Sequence, residues 1–258
     1  MSKPSIAELR AATQPPSIFE RNSGEHWEGR ILMRRFSPYL TRLLIRTPIT
    51  PNGVTWLMIL AGALAAGALT LPGLGWAVVA FLLIQLQLLL DCSDGEVARW
   101  RGMSSPVGVY LDRLGHYLTE SLLPIALGIR ADGGWHHLGG WTTLGLVISV
   151  LVLWIKSETV LVHVARVEAG LPPARDTEAV AAPQASGLAA LRRAAGRLPF
   201  YRAFVAIEAT FLALVAAIAD TVDGSLEGTQ TLVIVLIPIA AVTVVGHLLA
   251  ILASSRLR

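Results

Sequence analysis

The stretch Asp91-Cys92-Ser93-Asp94-Gly95-Glu96-Val97-Ala98-Arg99 runs straight on from the apolar segment Leu74–Leu90. A short polar stretch follows, then Gly108-Val109-Tyr110-Leu111-Asp112-Arg113-Leu114-Gly115-His116. An ionisable side chain at the centre of a bilayer-spanning helix costs roughly 2.5–3.5 kcal/mol, so it persists only when paired, hydrated or bound to something. On a helix, Asp91, Asp94 and Ala98 fall on one stripe, and Gly108, Asp112 and His116 fall on another. The expectation is two helices whose stripes face each other near one membrane surface, where three carboxylates and an imidazole converge.

The composition supports a membrane setting. Hydrophobic residues make up 53% of the 258 and charged residues only 15%, with mean hydropathy +0.59. A soluble domain carries about 25% charged residues, so disorder is excluded and a water-soluble globule disfavoured. Six apolar segments of about the length needed to span a bilayer are read at Gly53–Leu71, Leu74–Leu90, Pro106–Ile129, Trp141–Val164, Ala203–Ala219 and Leu232–Leu252. The fold class expected is therefore all-α, a polytopic membrane protein of six transmembrane helices.

Charge orients it. The connections Leu71–Leu74, Arg130–Gly140 and Asp220–Gln230 carry a single base, Arg130, while the other side holds Lys3, the seven arginines of the N-terminal arm, Arg99, Arg101, the arginines from Arg166 to Arg202, and Arg256 and Arg258. Positive residues stay inside, which predicts both termini in the cytoplasm and an inner (cytoplasmic) membrane location. The net charge of +3 is thus explained by topology, and no nucleic-acid partner is expected. A single cysteine, Cys92, excludes an intrachain disulfide framework. The first 50 residues lack the continuous apolar run of a signal peptide.

Residues 1–49 read as a cytoplasmic arm, and 50–258 as the transmembrane domain. In Trp27–Arg46, Arg30, Arg34, Arg35, Arg42 and Arg46 interleave with Trp27, Ile31, Phe36, Leu40, Leu43 and Leu44. That pattern predicts a basic amphipathic helix on an anionic leaflet or an arm packed across the helix ends, broken in two by Pro38. Residues 168–197 read as a cytoplasmic loop with a short helix near 186–195. No internal repeat or separate soluble domain is seen.

Three facing carboxylates repel one another unless a cation sits between them. Oxygen ligands without a thiol cluster suit Mg²⁺ or Mn²⁺, and a pair of ions can stabilise the attacking and leaving oxygens of a displacement at phosphorus. Gly95, Ala98 and Gly108 leave room beside the acids for a flat base or a diphosphate. A structural polar network between two helices would explain the acids alone. A cation transporter would explain the acids and the orientation, but not the glycines at fixed offsets.

The pattern Asp91-x2-Asp94-Gly95-x2-Ala98-Arg99-x8-Gly108-x3-Asp112 resembles the signature of the CDP-alcohol phosphatidyltransferases. Thr50-Pro51-Asn52-x-x-Thr55 is similar to that family's opening of its first span. The resemblance implies a six-helix, usually homodimeric membrane enzyme with a surface helix before the first span. The implied reaction displaces CMP from CDP-diacylglycerol or another CDP-alcohol by an alcohol or phosphorylated polyol, among membrane lipids. It implies metal binding, with two ions, by Asp91, Asp94 and Asp112, and nucleotide contacts at Asn52, Gly95, Ala98, Arg99 and Gly108. The run Asp94-Gly95-Glu96-x-Ala98-Arg99 looks like members that handle inositol phosphates.

The family's pattern ends in a fourth aspartate where this chain has His116. Three readings stand: His116 is the general base in its place, His116 is a metal ligand favouring Mn²⁺, or transfer has been lost and a nucleotide- or lipid-binding protein remains. Elsewhere, Glu120 either faces the acceptor or pairs with Lys156. Lys156 either holds an acceptor phosphate or satisfies Glu120, Glu158 or Glu208. Arg192, Arg193, Arg197 and Arg202 either meet an anionic acceptor or set the topology. Trp135, His136, His137 and Trp141 read as external interfacial residues.

Overall fold

The computed structural model describes residues 4–15, 32–172, 200–254 and 257, and among these every regular element is helical. In chain order they are α1 (Ile6–Thr13), α2 (Arg34–Leu44), α3 (Pro51–Leu69), α4 (Leu74–Arg101), α5 (Pro106–Ala131), α6 (Gly140–Glu168), α7 (Ala206–Asp223) and α8 (Glu227–Leu252), with a 3₁₀ turn at Phe200–Phe204. Four of them, α3, α4, α6 and α8, are long and apolar enough to cross a membrane. The third and fifth expected spans are the helices α5 and α7, but ionisable residues interrupt their apolar character: Asp112, Arg113, Glu120 and Arg130 in α5, Glu208, Asp220 and Asp223 in α7. Residues 173–197 of the expected loop, with its short helix, and Trp27, Arg30 and Ile31 of the arm lie outside the described residues.

The helix ends follow from local chemistry. Ser5 and Glu8 form a capping box at α1: Ser5 Oγ accepts from the Glu8 N–H and Glu8 Oε2 from the Ser5 N–H. The hydrogen bonds from Ser5 hold the Glu8 carboxyl below its ordinary range. Thr50 and Ser105 cap α3 and α5 by accepting from the N–H groups of Gly53 and Gly108. Each is followed by a proline at the first helical position, where a missing N–H costs nothing. The second helix does not stop at Leu90. It runs on to Arg101, and Gly102, at φ +65, turns the chain so that the Met103 N–H reaches the Ala98 carbonyl. Its 28 residues make a rod of about 42 Å, against about 30 Å of hydrocarbon core.

The expected break at Pro38 does not occur; α2 is continuous from Arg34 to Leu44. Proline's missing N–H leaves the carbonyl of Arg34 without its helical partner, and the side-chain amide of Gln14 takes that place at 2.9 Å. The helix buries Ser37, Pro38 and Thr41, while Phe36, Tyr39 and Leu43 are exposed.

The chain divides into two compact units, Met1–Ala65 with Leu82–Thr119, and Ala66–Phe81 with Glu120–Arg258. In the first, Val54, Met58, Ile59, Ala61 and Leu90 form an apolar core, flanked by Leu40, Leu44 and Ile49. Arg101 ties its connections by donating to the carbonyls of Leu44, Ile45, Thr47 and Ile49.

In the second unit, α6 and α8 pack along each other, and ion pairs join the helices. Lys156 Nζ is 2.8 Å from Glu120 Oε2, and His247 Nδ1 is 2.7 Å from Glu158 Oε2. Where α5 meets α6, the backbones touch. A Cβ on Gly145 would fall 2.5 Å from the carbonyl oxygen of Pro124, and one on Gly128 2.5 Å from that of Trp141.

Arg130 corrects the sequence reading most sharply. It was expected in an external loop but lies in the last turn of α5 with no exposed surface. Its guanidinium donates to the carbonyls of Leu71 (2.7 Å) and Gly73 (3.2 Å) and to Thr229 Oγ1 (3.3 Å), and sits 3.9 Å from Asp220 Oδ2. Asp220, also expected in a connection, belongs to α7 and accepts from the N–H and Oγ1 of Thr229. Nearby, Asp132 opens α6. Burial opposes its charge, but hydrogen bonds from Thr142, Gly139 and Trp141 hold its carboxyl below the ordinary range.

Two substitutions test these contacts by thermal or denaturant unfolding in micelles. Gly145→Ala forces a side chain against backbone that cannot yield, with an expected loss of about 1–3 kcal/mol. Arg130→Ala leaves the carbonyl oxygens of Leu71 and Gly73 without their donor and Asp220 with Thr229 but no cation, with an expected loss of about 3–5 kcal/mol.

Candidate active site

The site sits where α4 and α5 carry their polar stripes. On α4, Asp91, Asp94, Gly95, Ala98 and Arg99 are partly open, whereas Cys92, Ser93, Glu96 and Val97 are buried. On α5, Gly108, Asp112 and His116 are partly open, with Leu111 and Gly115 buried behind them.

Three of the acidic and imidazole groups converge. One ligand atom each from Asp91, Asp112 and His116 lies within 4.8 Å of the others. His116 Nε2 is 3.3 Å from Asp91 Oδ1 and 3.5 Å from Asp112 Oδ1. Asp94 falls outside this trio: its Oδ2 accepts a 2.6 Å hydrogen bond from Thr55 Oγ1 of α3. Carboxylate oxygens with one imidazole nitrogen are a donor set that a divalent cation accepts. Asp94, locked in orientation by Thr55, stands three residues along the same stripe.

The expected nucleotide contacts separate into two places. Asn52 and Gly108 adjoin: a Cβ on Gly108 would come 3.2 Å from Asn52 Oδ1. Beside them lies a pocket of about 360 Å³ lined by Thr50, Pro51, Asn52, Met103, Ser104 and Ser105. Gly95 and Arg99 form the second place. The Arg99 guanidinium lies over Gly95, whose Cβ, if present, would meet its terminal nitrogens at 3.1 and 3.2 Å. Ala98 lies on the partly open face one turn away from both Asp94 and Gly95.

Other singled-out residues find partners or fall aside. Glu120, one turn beyond His116 on α5, is paired with Lys156. Arg202 is exposed, while Arg192, Arg193 and Arg197 lie outside the described residues.

Two residues that sequence reasoning passed over matter most. Glu96, inside the run that suggested an inositol phosphate acceptor, is wholly buried and bonded to Gln14, Ser37 and Thr41. Its carboxylate therefore faces the arm, not a ligand. Its place between the stripe residues Gly95 and Ala98, rotated off the stripe, was the available signal. His247 had none, because its partner Glu158 is 89 residues away.

The family model covers these elements. A model of the family described as CDP-alcohol phosphatidyltransferase matches residues 48–191. The chain is 35% identical over 123 residues to the inner membrane protein YnjF of Escherichia coli, covering 46% of this chain and 57% of that protein. It is 39% identical over 99 residues to the archaetidylinositol phosphate synthase of Aeropyrum pernix, covering 37% and 47%. It is 35% identical over 130 residues to the bifunctional IPC transferase and DIPP synthase of Thermococcus kodakarensis, covering 50% and 29%. The chain thus spans between 29% and 57% of these relatives' lengths.

Thr55→Val tests the orientation of Asp94. Removing a hydrogen-bond partner behind a metal ligand typically costs 10–100-fold in metal affinity. If Asp94 holds an ion, a loss of about that size is expected in a Mn²⁺ titration followed by electron paramagnetic resonance.

Proposed function

The chain belongs to the CDP-alcohol phosphatidyltransferase family, and on that premise we propose that it transfers a phosphatidyl or phospho-alcohol group from a CDP-linked donor to an alcohol, releasing CMP, in membrane phospholipid synthesis. The observation that carries this reading is the meeting of Asp91, Asp112 and His116 on two helices that also bear the family's glycines. Asp91, Asp94 and Asp112 would hold two divalent cations, Mg²⁺ or Mn²⁺. When bound, such ions neutralise the diphosphate and the departing CMP. Asn52 and Gly108 border the donor's nucleoside. Gly95, Ala98 and Arg99 face its diphosphate, which a guanidinium fork suits.

His116 is the general base in this mechanism. Its Nε2 takes the acceptor hydroxyl's proton. The hydroxyl oxygen bonds to the phosphorus of the transferred group, and the bond from that phosphorus to the bridging oxygen breaks, so CMP leaves with the electron pair. A neutral imidazole suits this near pH 7. Donor tails, as in CDP-diacylglycerol, would stay among the membrane lipids. Relatives named for archaetidylinositol phosphate and IPC support a phosphorylated polyol as the acceptor.

The setting proposed is an inner membrane, as the name of the Escherichia coli relative supports. There α5 and α7 join the four apolar helices as spans, both termini lie in the cytoplasm and two copies pair. Their polar groups are matched inside the unit that holds them, as Glu120 is by Lys156 and Asp220 by Arg130 and Thr229. On α2, polar residues face inward while Phe36, Tyr39 and Leu43 face out among Arg35 and Arg42. This inverts the pattern of a soluble helix and fits one lying on an anionic leaflet.

Purified protein incubated with Mg²⁺ or Mn²⁺, CDP-diacylglycerol or a soluble CDP-alcohol, and a panel of alcohols tests the proposal through CMP. Release that requires both metal and acceptor is expected, with kcat lowered about 10²–10⁴-fold in His116→Ala and largely kept in His116→Asp. No CMP from any pair would leave the reading of a nucleotide- or lipid-binding protein that has lost transfer.

A further inference from the structure

The short helix α1 is docked on α4 at two residues one turn apart. Glu96, with no exposed surface, accepts hydrogen bonds from Gln14 Nε2 at 2.8 Å, Ser37 Oγ at 2.5 Å and Thr41 Oγ1 at 2.7 Å. Arg99 Nε donates to the backbone carbonyl of Thr13 at 2.6 Å. That carbonyl belongs to the last turn of α1, whose four final acceptors have no partner within the helix. A helix C-terminus also carries partial negative charge and favours a cation. Gln14 bonds the Arg34 carbonyl as well, and Arg10 donates to the carbonyl of Arg35, so the end of α1 is fastened to α2 and α4 together. Leu9, the apolar side chain α1 buries, is fully enclosed.

We propose that α1 is a positioning element for the donor nucleotide, its end anchored on Glu96 through Gln14 and its Thr13 carbonyl holding the Arg99 guanidinium over Gly95 where an anionic diphosphate binds. This rests on the reading of Gly95 and Arg99 as donor contacts. An arginine left to itself populates many rotamers, and ordering it on binding costs affinity. Held at Nε by Thr13 and seated on a glycine, it is ordered beforehand. The arm thereby contributes to donor affinity without touching the donor.

The test uses the full-length protein, soluble CDP with Mg²⁺ as the probe, and calorimetric Kd values. Leu9→Asp undocks α1, and Gln14→Ala removes its link to Glu96; the second decides the matter if the first does not fold. Each is expected to weaken CDP binding, Leu9→Asp by about tenfold, the scale of a lost hydrogen bond to a charged group, and to raise KM for the CDP donor with kcat at saturation little changed. In an Arg99→Ala background the same substitutions should have no further effect. Unchanged CDP affinity in both variants would overturn the inference, as would effects that add in full to that of Arg99→Ala. A wild-type protein that binds no CDP would be a different result, removing the donor-site reading and this inference with it.

Discussion

A carboxylate or guanidinium placed among apolar helices loses its hydration, and the cost of several kcal/mol is offset only by a partner of good geometry. The described part of this chain is organised around that demand. Arg130, without exposed surface, is met by two backbone carbonyl oxygens, Thr229 and Asp220. Glu120 is met by Lys156, Glu158 by His247, and Glu96 by three side-chain donors of the arm. Each match joins segments distant in sequence, so each also fixes which helices lie side by side. Apolar packing alone would leave helix register poorly determined in lipid, where side chains gain little by leaving one apolar environment for another.

Against this background the cluster of Asp91, Asp112 and His116 differs in kind. Two carboxylates crowd one imidazole nitrogen, an arrangement whose charge a divalent cation can balance. Thr55 keeps Asp94 turned in its place, Asn52 adjoins Gly108, and the Arg99 guanidinium lies over Gly95. The same α4 turn serves two masters. One face, Asp94-Gly95-Ala98, is partly open beside the cluster; another, through Glu96, is the anchor of the arm. A motif read as a string of ligands thus also anchors the arm, and Arg99 does so through Thr13.

Much of this was legible in the sequence. The stripes on α4 and α5 and the proline-headed starts at Pro51 and Pro106 follow from helical periodicity and capping chemistry, which are local. The convergence of Asp91, Asp112 and His116 was legible too, because a short polar turn leaves two antiparallel stripes little choice but to face each other. Pro38 misled, since its effect depends on a rescuer, Gln14, that lies 20 residues or more away in the chain. Arg130 misled because one charge near the end of an apolar run looks like a loop residue until its acceptors are in view.

The sequence by itself determined the helical class and the family, because period, charge distribution and motif spacing are properties of contiguous residues. Only the tertiary structure decided that Glu96 serves the arm, that Arg130 is a buried clasp, that Glu158 has His247, and that Arg99 rests on Thr13. Those outcomes depend on pairings across 59, 99, 89 and 86 residues. No local rule encodes a hydrogen bond between residues so far apart; it exists only once packing has brought donor and acceptor within reach.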